Sequence, residues 1–312
     1  MAKALRERIA DLLGPDWTEA RLRVLDHRPH DSACLREVLF ETADGETARA
    51  LHAPSRTGAA VLYCHAHGNR YDIGISELTD GRPALPSPYL AELVARGWGV
   101  LCLEMPCFGS RCTPGESARA KAMLWQGRTL FGRMLGEQRA ARDWLAAQPG
   151  VDPDRIAVMG ISMGGTLAWW LAAMMPGFAA AVSLACFADL ETLVDLGAHD
   201  GHGIYMTVPG LLPVVDSGTL SGLAAPTPLL HCVGLRDWST PEPAFTQGRT
   251  ALEAAYGNAG VPDRLRFVVE PDAGHEETPL MRETCLSFLE AALAGPSRGV
   301  TKLTRQNPMQ SS

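Results

Sequence analysis

The 312-residue chain lacks the sequence features of membrane, secreted and nucleic-acid-binding proteins. No stretch approaches the roughly 20 consecutive apolar residues of a transmembrane helix. The N-terminus, MAKALRERIADLLG, places charges between its apolar residues and has no continuous apolar segment like that of a signal peptide. No dense Lys/Arg run occurs, and the formal net charge of −7 gives no basic field for a phosphate backbone. We therefore expect a cytoplasmic protein that neither inserts into membranes nor binds nucleic acid.

Paired cysteines and recognised metal-ligand spacings are also missing. The eight cysteines form no CxxC pair, and several lie inside apolar runs such as VLYCHAHG. Without a secretory signal, reduced and mostly buried thiols are expected rather than a disulfide framework. The pairs His65 and His67, and His199 and His202, lack the spacing and the additional ligands of a zinc motif. We expect neither a metal nor an organic cofactor.

Short apolar runs alternate along the chain with amphipathic helical patterns. The segment CLREVLFETADGETARALHAP predicts two strands joined by a hairpin turn at Asp44-Gly45. Six further strand-like runs follow in GAAVLYC, GVLCLEM, RIAVMG, AAAVSLACF, PLLHCVG and LRFVVE. Continuously apolar strands separated by helices are typical of parallel strands buried on both faces. The sequence thus predicts an α/β fold with a mostly parallel central sheet, helices on both faces and an antiparallel hairpin at one edge.

The chain is predicted to form one domain with an insertion. Residues 1–30 are expected to be an N-terminal helical segment packed on the core, and residues 31–294 a single domain. About residues 189–226, between the sixth and seventh strands, no plain element is visible, and a connection of this length is typical of a lid or a binding loop. The polar residues 295–312 are expected to be a flexible tail.

The segment DRIAVMGISMGGTLAWW contains a serine between glycines at a strand-to-helix junction. Gly160, Ser162 and Gly164 match the pattern G-x-S-x-G, in which a serine stands on a sharp turn after a strand. The glycines leave room for the tight backbone, and the N-terminus of the following helix favours negative charge. The pattern predicts that Ser162 is a nucleophile, and a glycine-rich turn with a solvated serine is the alternative.

A serine nucleophile needs a base, and the base needs an acid that orients it. His275 follows the last strand in PDAGHEE, and Asp237 follows the preceding strand in GLRDWSTP. Both are therefore expected at the same edge of the sheet as Ser162, in a Ser, Asp, His order that is found in serine hydrolases. Asp189, after the sixth strand, is the alternative acid, or else the N-cap of a helix.

Two backbone amides are predicted to stabilise the oxyanion that forms when a serine attacks a carbonyl group. One belongs to Met163, directly after the nucleophile. The other belongs to Asn69 in the turn HAHGN, where Gly68 allows the backbone to bend. His65 and His67 are expected to hold this turn through hydrogen bonds.

These segments make the chain similar to the α/β-hydrolases, with the dienelactone-hydrolase-like and acetyl-xylan-esterase-like branches as the nearest. The resemblance spans roughly residues 60–280 and is carried by HAHGN, LVARGWGVLCLEMPCFGSR, VDPDRIAVMGISMGG, PLLHCVGLRDWSTP and EPDAGHEE. Dienelactone hydrolases carry a cysteine nucleophile and haloalkane dehalogenases an aspartate, whereas residue 162 is a serine, which disfavours both activities. The fold hosts many chemistries, so the branch stays open at this point.

The site residues and the resemblance together predict a serine carboxylesterase that forms an acyl-enzyme. The apolar segment GIYMTVPGLLPVV in the insertion predicts a pocket wall, with Tyr205, Met206 and Leu211 as lining residues. We expect a small or medium-sized uncharged ester as the small-molecule partner. A peptidase or amidase, a lactonase or an acyltransferase could use the same three residues, and a non-catalytic binding module is a further alternative. Exposed residues of the edge hairpin or the last helix could form a homodimer.

Overall fold

The computed structural model describes residues 2–32 and 34–294 of the chain, so the predicted tail at residues 295–312 lies outside the described residues. The strands are β1 (Leu22–Pro29), β2 (Arg36–Thr42), β3 (Thr47–Ala53), β4 (Ala60–Cys64), β5 (Gly99–Leu103), β6 (Ile156–Ile161), β7 (Ala180–Leu184), β8 (Leu229–Gly234) and β9 (Leu265–Glu270). The helices are α1 (Ala2–Leu13), α2 (Pro15–Glu19), α3 (Glu77–Asp80), α4 (Leu90–Ala95), α5 (Glu116–Trp125), α6 (Leu130–Ala146), α7 (Met163–Met174), α8 (Leu190–Asp195), α9 (Ser217–Gly222), α10 (Glu242–Asn258) and α11 (Pro279–Leu293).

All nine strands belong to one sheet in the order β1-β2-β3-β5-β4-β6-β7-β8-β9. The pairs that involve β1, β2 and β3 are antiparallel, and every pair from β5 to β9 is parallel. The parallel strands β4, β5, β6, β7 and β8 are buried along their whole length, as their continuous apolar runs predict. The predicted fold class is confirmed: a mostly parallel sheet with helices on both faces and an antiparallel hairpin toward one edge.

The two faces of the sheet are covered by two separate apolar clusters. In β4, Leu62 and Cys64 point into one cluster together with α6 and α7, while Val61 and Tyr63 point into the other together with α4 and α11. This alternation follows from the two-residue period of a strand. A sheet packed on both faces is rigid, and it fixes where the carboxyl ends of its strands lie.

The prediction of an N-terminal helical segment at residues 1–30 fits the structure only as far as Glu19. Helices α1 and α2 are present, but residues 22–29 form strand β1, which pairs with β2 at the edge of the sheet. A bulge between Val24 and Asp26 breaks the alternation of apolar and polar residues, and most of the strand is exposed. The bulge, the charges and Pro29 at the end are also features that protect an edge strand from pairing with another chain.

The predicted insertion lies between β7 and β8, the seventh and eighth strands once β1 is counted. It contains α8, α9 and two 3₁₀ turns, at Ala198–Gly201 and Ile204–Met206. In the part of the chain that the structure describes, no helix is long and apolar enough to span a bilayer.

Candidate active site

The structure brings the three predicted catalytic side chains together at the carboxyl edge of the sheet. Ser162 follows β6, Asp237 follows β8 and His275 follows β9. The Ser162 Oγ lies 2.9 Å from Nε2 of His275, and Nδ1 of the same ring lies 2.8 Å from Oδ2 of Asp237. The Asp237 carboxylate is fully buried, whereas a fifth of the His275 side chain is exposed. His275 can therefore accept the serine proton at Nε2 while its Nδ1–H donates to the carboxylate.

The turn at Ser162 is strained in the way that the glycine pattern predicts. Ser162 has φ 57° and ψ −124°, a conformation that side chains rarely adopt, and its N–H donates to the Leu184 carbonyl in the neighbouring strand β7. A Cβ atom on either Gly160 or Gly164 would overlap the backbone oxygen of Cys64 in β4. The missing side chains therefore let the turn pack against β4, and this packing holds the serine beside the first turn of α7.

Ser239, which the sequence analysis did not single out, fixes the orientation of Asp237. Its N–H and its hydroxyl both donate to Oδ1 of Asp237, at 2.8 and 2.7 Å. The hydroxyl also lies 3.0 Å from Nδ1 of His275. With Oδ1 held by Ser239, both carboxylate oxygens stay near the imidazole, Oδ2 at 2.8 Å and Oδ1 at 3.0 Å from Nδ1. A bond from residue i+2 back to an aspartate is a common local motif, so the spacing in Asp-Trp-Ser was the signal that could have revealed this residue.

Asp189, the alternative acid, does not contact His275 in the structure. It caps α8, with Oδ2 accepting from the N–H and the hydroxyl of Thr192 at 3.0 and 2.8 Å. Its Oδ1 accepts from the Ser217 N–H at 3.4 Å, and the Ser217 hydroxyl in turn accepts from the Leu190 N–H at 3.0 Å. This Asp189–Ser217 clasp joins the two ends of residues 190–216. The N-cap interpretation of Asp189 is therefore the one that the geometry supports.

The two predicted oxyanion donors, Met163 and Asn69, line the same cavity as Ser162. Met163 is the first residue of α7, where a backbone N–H points out of the helix end. Asn69 has φ 54°, and its N–H donates to Nδ1 of His67 at 3.0 Å. The second predicted donor thus has a protein partner in this structure, and its role with an oxyanion stays a prediction.

His67 connects the Asn69 turn to Glu116 at the start of α5. Its Nε2 is hydrogen-bonded to the buried Glu116 carboxylate, which also accepts from the Tyr71 hydroxyl and the Tyr205 N–H, both at 2.9 Å. Burial alone would raise the pKa of Glu116, but the hydrogen bonds from His67 and Tyr71 outweigh it and lower the pKa. Glu116 is thus a carboxylate that ties the predicted oxyanion turn to the insertion. Glu116 is 49 residues from His67 in the sequence, and no local sequence pattern predicts its role.

The rest of this turn is held by buried polar groups, as the structural interpretation of His65 predicts. His65 Nε2 accepts from the Met105 N–H at 3.1 Å, and burial lowers the pKa of its ring to about 3. Glu77 accepts from the Ala66 N–H at 2.9 Å and is ion-paired with Arg82. The turn is therefore fixed from two sides, by a neutral His65 and by the Glu77–Arg82 ion pair.

Ser162 opens into a cavity of about 430 Å³, here called the catalytic cavity, whose lining includes His275, Trp169, Leu190, Tyr205 and Met206. Two of the three predicted pocket residues, Tyr205 and Met206, thus line it. Leu211 does not: it lines a neighbouring cavity formed by the insertion. The change occurs at Met206, which lines both cavities, whereas Thr207, Val208 and Leu211 line only the neighbouring one.

Cys186 is another nucleophilic side chain in the lining of the catalytic cavity. Burial raises the pKa of its thiol to about 12, so it is protonated at neutral pH and a poor nucleophile. Within residues 2–32 and 34–294, no group of three or more His, Cys, Asp or Glu side chains is arranged to hold a metal ion. The side chain best placed for chemistry in this cavity is that of Ser162.

Comparisons with known proteins agree with this geometry. The model of the prolyl oligopeptidase family matches residues 132–293, which include all three predicted catalytic residues. The Bacillus subtilis (strain 168) protein YtaP is 34% identical over 292 residues, covering 91% of this chain and 97% of the relative. An uncharacterized Mycobacterium tuberculosis (strain H37Rv) protein is 26% identical over 249 residues, covering 79% of this chain and 74% of the relative.

Two solved structures illustrate the similarity of fold. Acetyl xylan esterase 1 from a Thermoanaerobacterium species superposes with a TM-score of 0.62 at 17% identity, covering 94% of this chain and 98% of that one. A glucuronoyl esterase from Solibacter usitatus also gives 0.62 at 17% identity, covering 93% and 92%. At such identities the likeness concerns the fold alone.

Proposed function

The chain belongs to the prolyl oligopeptidase family of α/β-hydrolases, and from this premise we propose that it hydrolyses carboxylic esters of small or medium-sized uncharged substrates. The observation that carries the proposal is the hydrogen-bonded series from Ser162 through His275 to Asp237, whose serine and histidine line a cavity with both apolar and polar side chains. A serine with this partner set can attack a carbonyl carbon, whereas a solvated serine cannot.

In the proposed mechanism His275 Nε2 takes the Ser162 proton as Oγ attacks the ester carbonyl. The oxyanion of the tetrahedral intermediate receives hydrogen bonds from the N–H groups of Met163 and Asn69, the latter turning from His67 to the substrate oxygen. His275 then donates its proton to the departing alcohol, which leaves an acyl group on Ser162. A water molecule then attacks the acyl group in the same series of steps, with His275 as the base, and the carboxylic acid is released. Asp237 keeps the histidine in the required tautomer and stabilises it while it is charged.

The lining of the catalytic cavity supports an uncharged substrate. Among its lining residues, all within the described chain, Glu276 is the one Asp, Glu, Lys or Arg side chain, and it is exposed. A substrate with a charged group deep in the cavity would lose its hydration without gaining an ion pair. An uncharged ester incurs no such cost, and the indole rings of Trp169 and Trp170 offer it apolar surface.

The second candidate is a peptidase or amidase, which the name of the family favours. The same three residues can cleave an amide, but the departing amine is a poorer leaving group. The names of structural neighbours include acetyl xylan and glucuronoyl esterases, which supports the ester as the first candidate. Lactonase and acyltransferase activities would use the same acyl-enzyme. In a lactonase the alcohol group stays attached to the acyl group, and in an acyltransferase another alcohol replaces water.

The deciding experiment measures hydrolysis of p-nitrophenyl acetate and butyrate, with a p-nitroanilide in parallel, by the wild type and by Ser162→Ala. Ester turnover that disappears in the variant supports the proposal. Turnover of the anilide alone would favour the amidase. Absence of labelling by a fluorophosphonate, which reacts with activated serines, would overturn any serine-hydrolase function.

We also propose that the protein acts in the cytoplasm on a small-molecule ester and has no nucleic-acid partner. The net charge of −7 supports the second point. For a homodimer, the exposed face of α11 is a better candidate than the edge hairpin, because the bulge and charges of β1 disfavour strand pairing. Light scattering after size-exclusion chromatography would test the dimer, and cell fractionation would test the compartment.

A further inference from the structure

The insertion encloses a second cavity of about 440 Å³ beside the catalytic cavity. Its lining is mainly aliphatic and includes Val194, Ile204, Val208, Leu211 and Leu212. Val194 and Leu212 are 46% and 38% exposed, so the cavity reaches the protein surface with apolar side chains at its mouth. Apolar groups in a concave site that opens to water are a common feature of ligand-binding sites.

The two cavities share a wall. Five residues line both of them: Leu190, Leu193, His202, Gly203 and Met206. Gly203 contributes no side chain to this wall, and Met206 is half-buried with an unbranched, flexible side chain. Met206 is therefore the residue of this wall whose side chain has the greatest conformational freedom.

The wall between the cavities has a fixed backbone next to the flexible Met206 side chain. Tyr205 is buried and donates its N–H to the Glu116 carboxylate at 2.9 Å, and its ring stacks on that of His67 at 5.5 Å between ring centres. The residue before Met206 is thus fixed to the turn beside the nucleophile. The wall between the cavities is therefore held beside the turn that faces Ser162.

The charges of the second cavity restrict what it can bind. Its lining, which lies entirely within the described chain, contains Asp200 but no Lys or Arg. His199 and His202 also line it, but without a permanently charged Lys or Arg a carboxylate or phosphate group has no strong ion-pair partner there. The aliphatic lining instead suits a neutral hydrocarbon chain.

We propose that the second cavity binds the distal part of an alkyl chain of the ester substrate, a chain of about eight carbons or more that passes Met206 from the catalytic cavity. This inference rests on the proposed esterase function and assigns its substrate class. Each methylene moved from water into the second cavity should raise kcat/KM by about fourfold, the equivalent of about 0.8 kcal/mol of buried CH₂.

The test compares two exposed leucines of the insertion. Leu212→Trp places a bulky ring in the second cavity, whereas Leu196→Trp, at a residue that is 51% exposed and lines neither cavity, is the matched control. Kinetics are measured with p-nitrophenyl esters from acetate to decanoate and with alkyl acetates from methyl to decyl, below the concentrations at which they aggregate. The two series show whether the acyl or the alcohol group enters the cavity.

We expect Leu212→Trp to lower kcat/KM for the longest ester of one series by about tenfold or more, and to change it for the acetate or methyl ester by less than about twofold. Leu196→Trp should leave both values unchanged. Thr207→Trp, at a second exposed lining residue, should repeat the effect and guards against a folding defect in the first variant.

An unchanged chain-length profile in both series for both cavity variants would overturn the inference. So would a wild type that prefers the shortest ester to every longer one in both series. Either result leaves the proposed function standing, because that depends on the loss of acetate turnover in Ser162→Ala.

Discussion

The carboxyl edge of the sheet and the insertion contribute different things to the same site. The edge places Ser162, Asp237 and His275 directly after buried parallel strands, and the carboxylate among them is fully shielded from water. The insertion consists of short helices and 3₁₀ turns, and it exposes apolar side chains such as Val194 and Leu196. The rigid sheet edge thus determines the reaction, while the less regular insertion shapes the cavity that the substrate enters.

The largest effect should distinguish the two carboxylates, one from each region. Asp237→Asn would give His275 the wrong tautomer, and we expect kcat for p-nitrophenyl acetate to fall by about 10⁴-fold, as in other serine triads. Asp189→Asn should leave kcat within about threefold and lower the free energy of unfolding by about 1 kcal/mol or less, since asparagine also caps helices well. Kinetics and urea unfolding of both variants measure this, and comparable losses of kcat would break the comparison.

Two glycine substitutions test the difference in rigidity. A methyl group on Gly164 would overlap the Cys64 carbonyl, and this can be relieved only if the turn or β4 moves. We expect Gly164→Ala to lower the free energy of unfolding by about 3 kcal/mol or more. Gly197 in the insertion has φ 69° and no atom within 4 Å of an added Cβ, so Gly197→Ala should cost only the left-handed backbone strain of about 1–2 kcal/mol. If urea unfolding showed equal losses in the free energy of unfolding for the two variants, the two regions would be equally tolerant of an added methyl group.

Acidification should weaken the interior of the sheet through His231. This side chain is buried in β8 between the rings of Phe187 and Phe267, and burial lowers its pKa from 6.5 to about 3. Between these values the unfolded chain binds a proton that the folded protein does not, so the contribution to stability is complete above pH 6.5 and is lost as the pH falls.

The loss at pH 5 should be about 2 kcal/mol for this residue alone. His231→Phe removes the titrating group, so its free energy of unfolding should fall less between pH 7.5 and pH 5 than that of the wild type. Subtracting the pH dependence of the free energy of unfolding of the variant from that of the wild type cancels the contribution of the carboxylates common to both proteins. Identical slopes would refute the prediction.

The smallest effect concerns the link between the two regions. Glu116→Gln keeps the size of the side chain but leaves one carbonyl oxygen for donors that now share two carboxylate oxygens. We expect kcat to fall by about tenfold with little change in KM, because the Asn69 turn loses its support while the oxyanion forms. This loss of kcat is smaller than the loss caused by removing an oxyanion donor itself. Tyr71→Phe, which removes one donor and leaves the links to His67 and Tyr205, should change kcat by less than about twofold. A KM effect without a kcat effect would assign Glu116 to substrate binding alone.

The elements that could be predicted from the sequence have local signals. The apolar runs revealed the parallel strands, and the G-x-S-x-G turn and the positions of Asp237 and His275 after strands indicated the three side chains that the structure brings together. Strand β1 escaped because its bulge breaks the two-residue period. The role of Glu116 was not predicted because it depends on a contact between distant segments: the Glu116 carboxylate and the Tyr205 N–H are 89 residues apart. Leu211 was assigned to the wrong cavity because an apolar run does not show which of two neighbouring cavities each residue lines.

The Asp189–Ser217 clasp has a consequence for how this protein can diverge from its relatives. It closes residues 190–216 at their base, next to the sheet and independently of what the segment contains. The entropy of closing a flexible loop grows only with the logarithm of its length, so that doubling the segment would cost about 0.6 kcal/mol. Residues above the clasp, apart from the Tyr205 segment that contacts Glu116 and His67, can therefore be added, removed or exchanged during evolution, or in a loop-grafting experiment, while the nucleophile and its partners keep their positions. The substrate preference of this protein can in this way change while its chemistry stays the same.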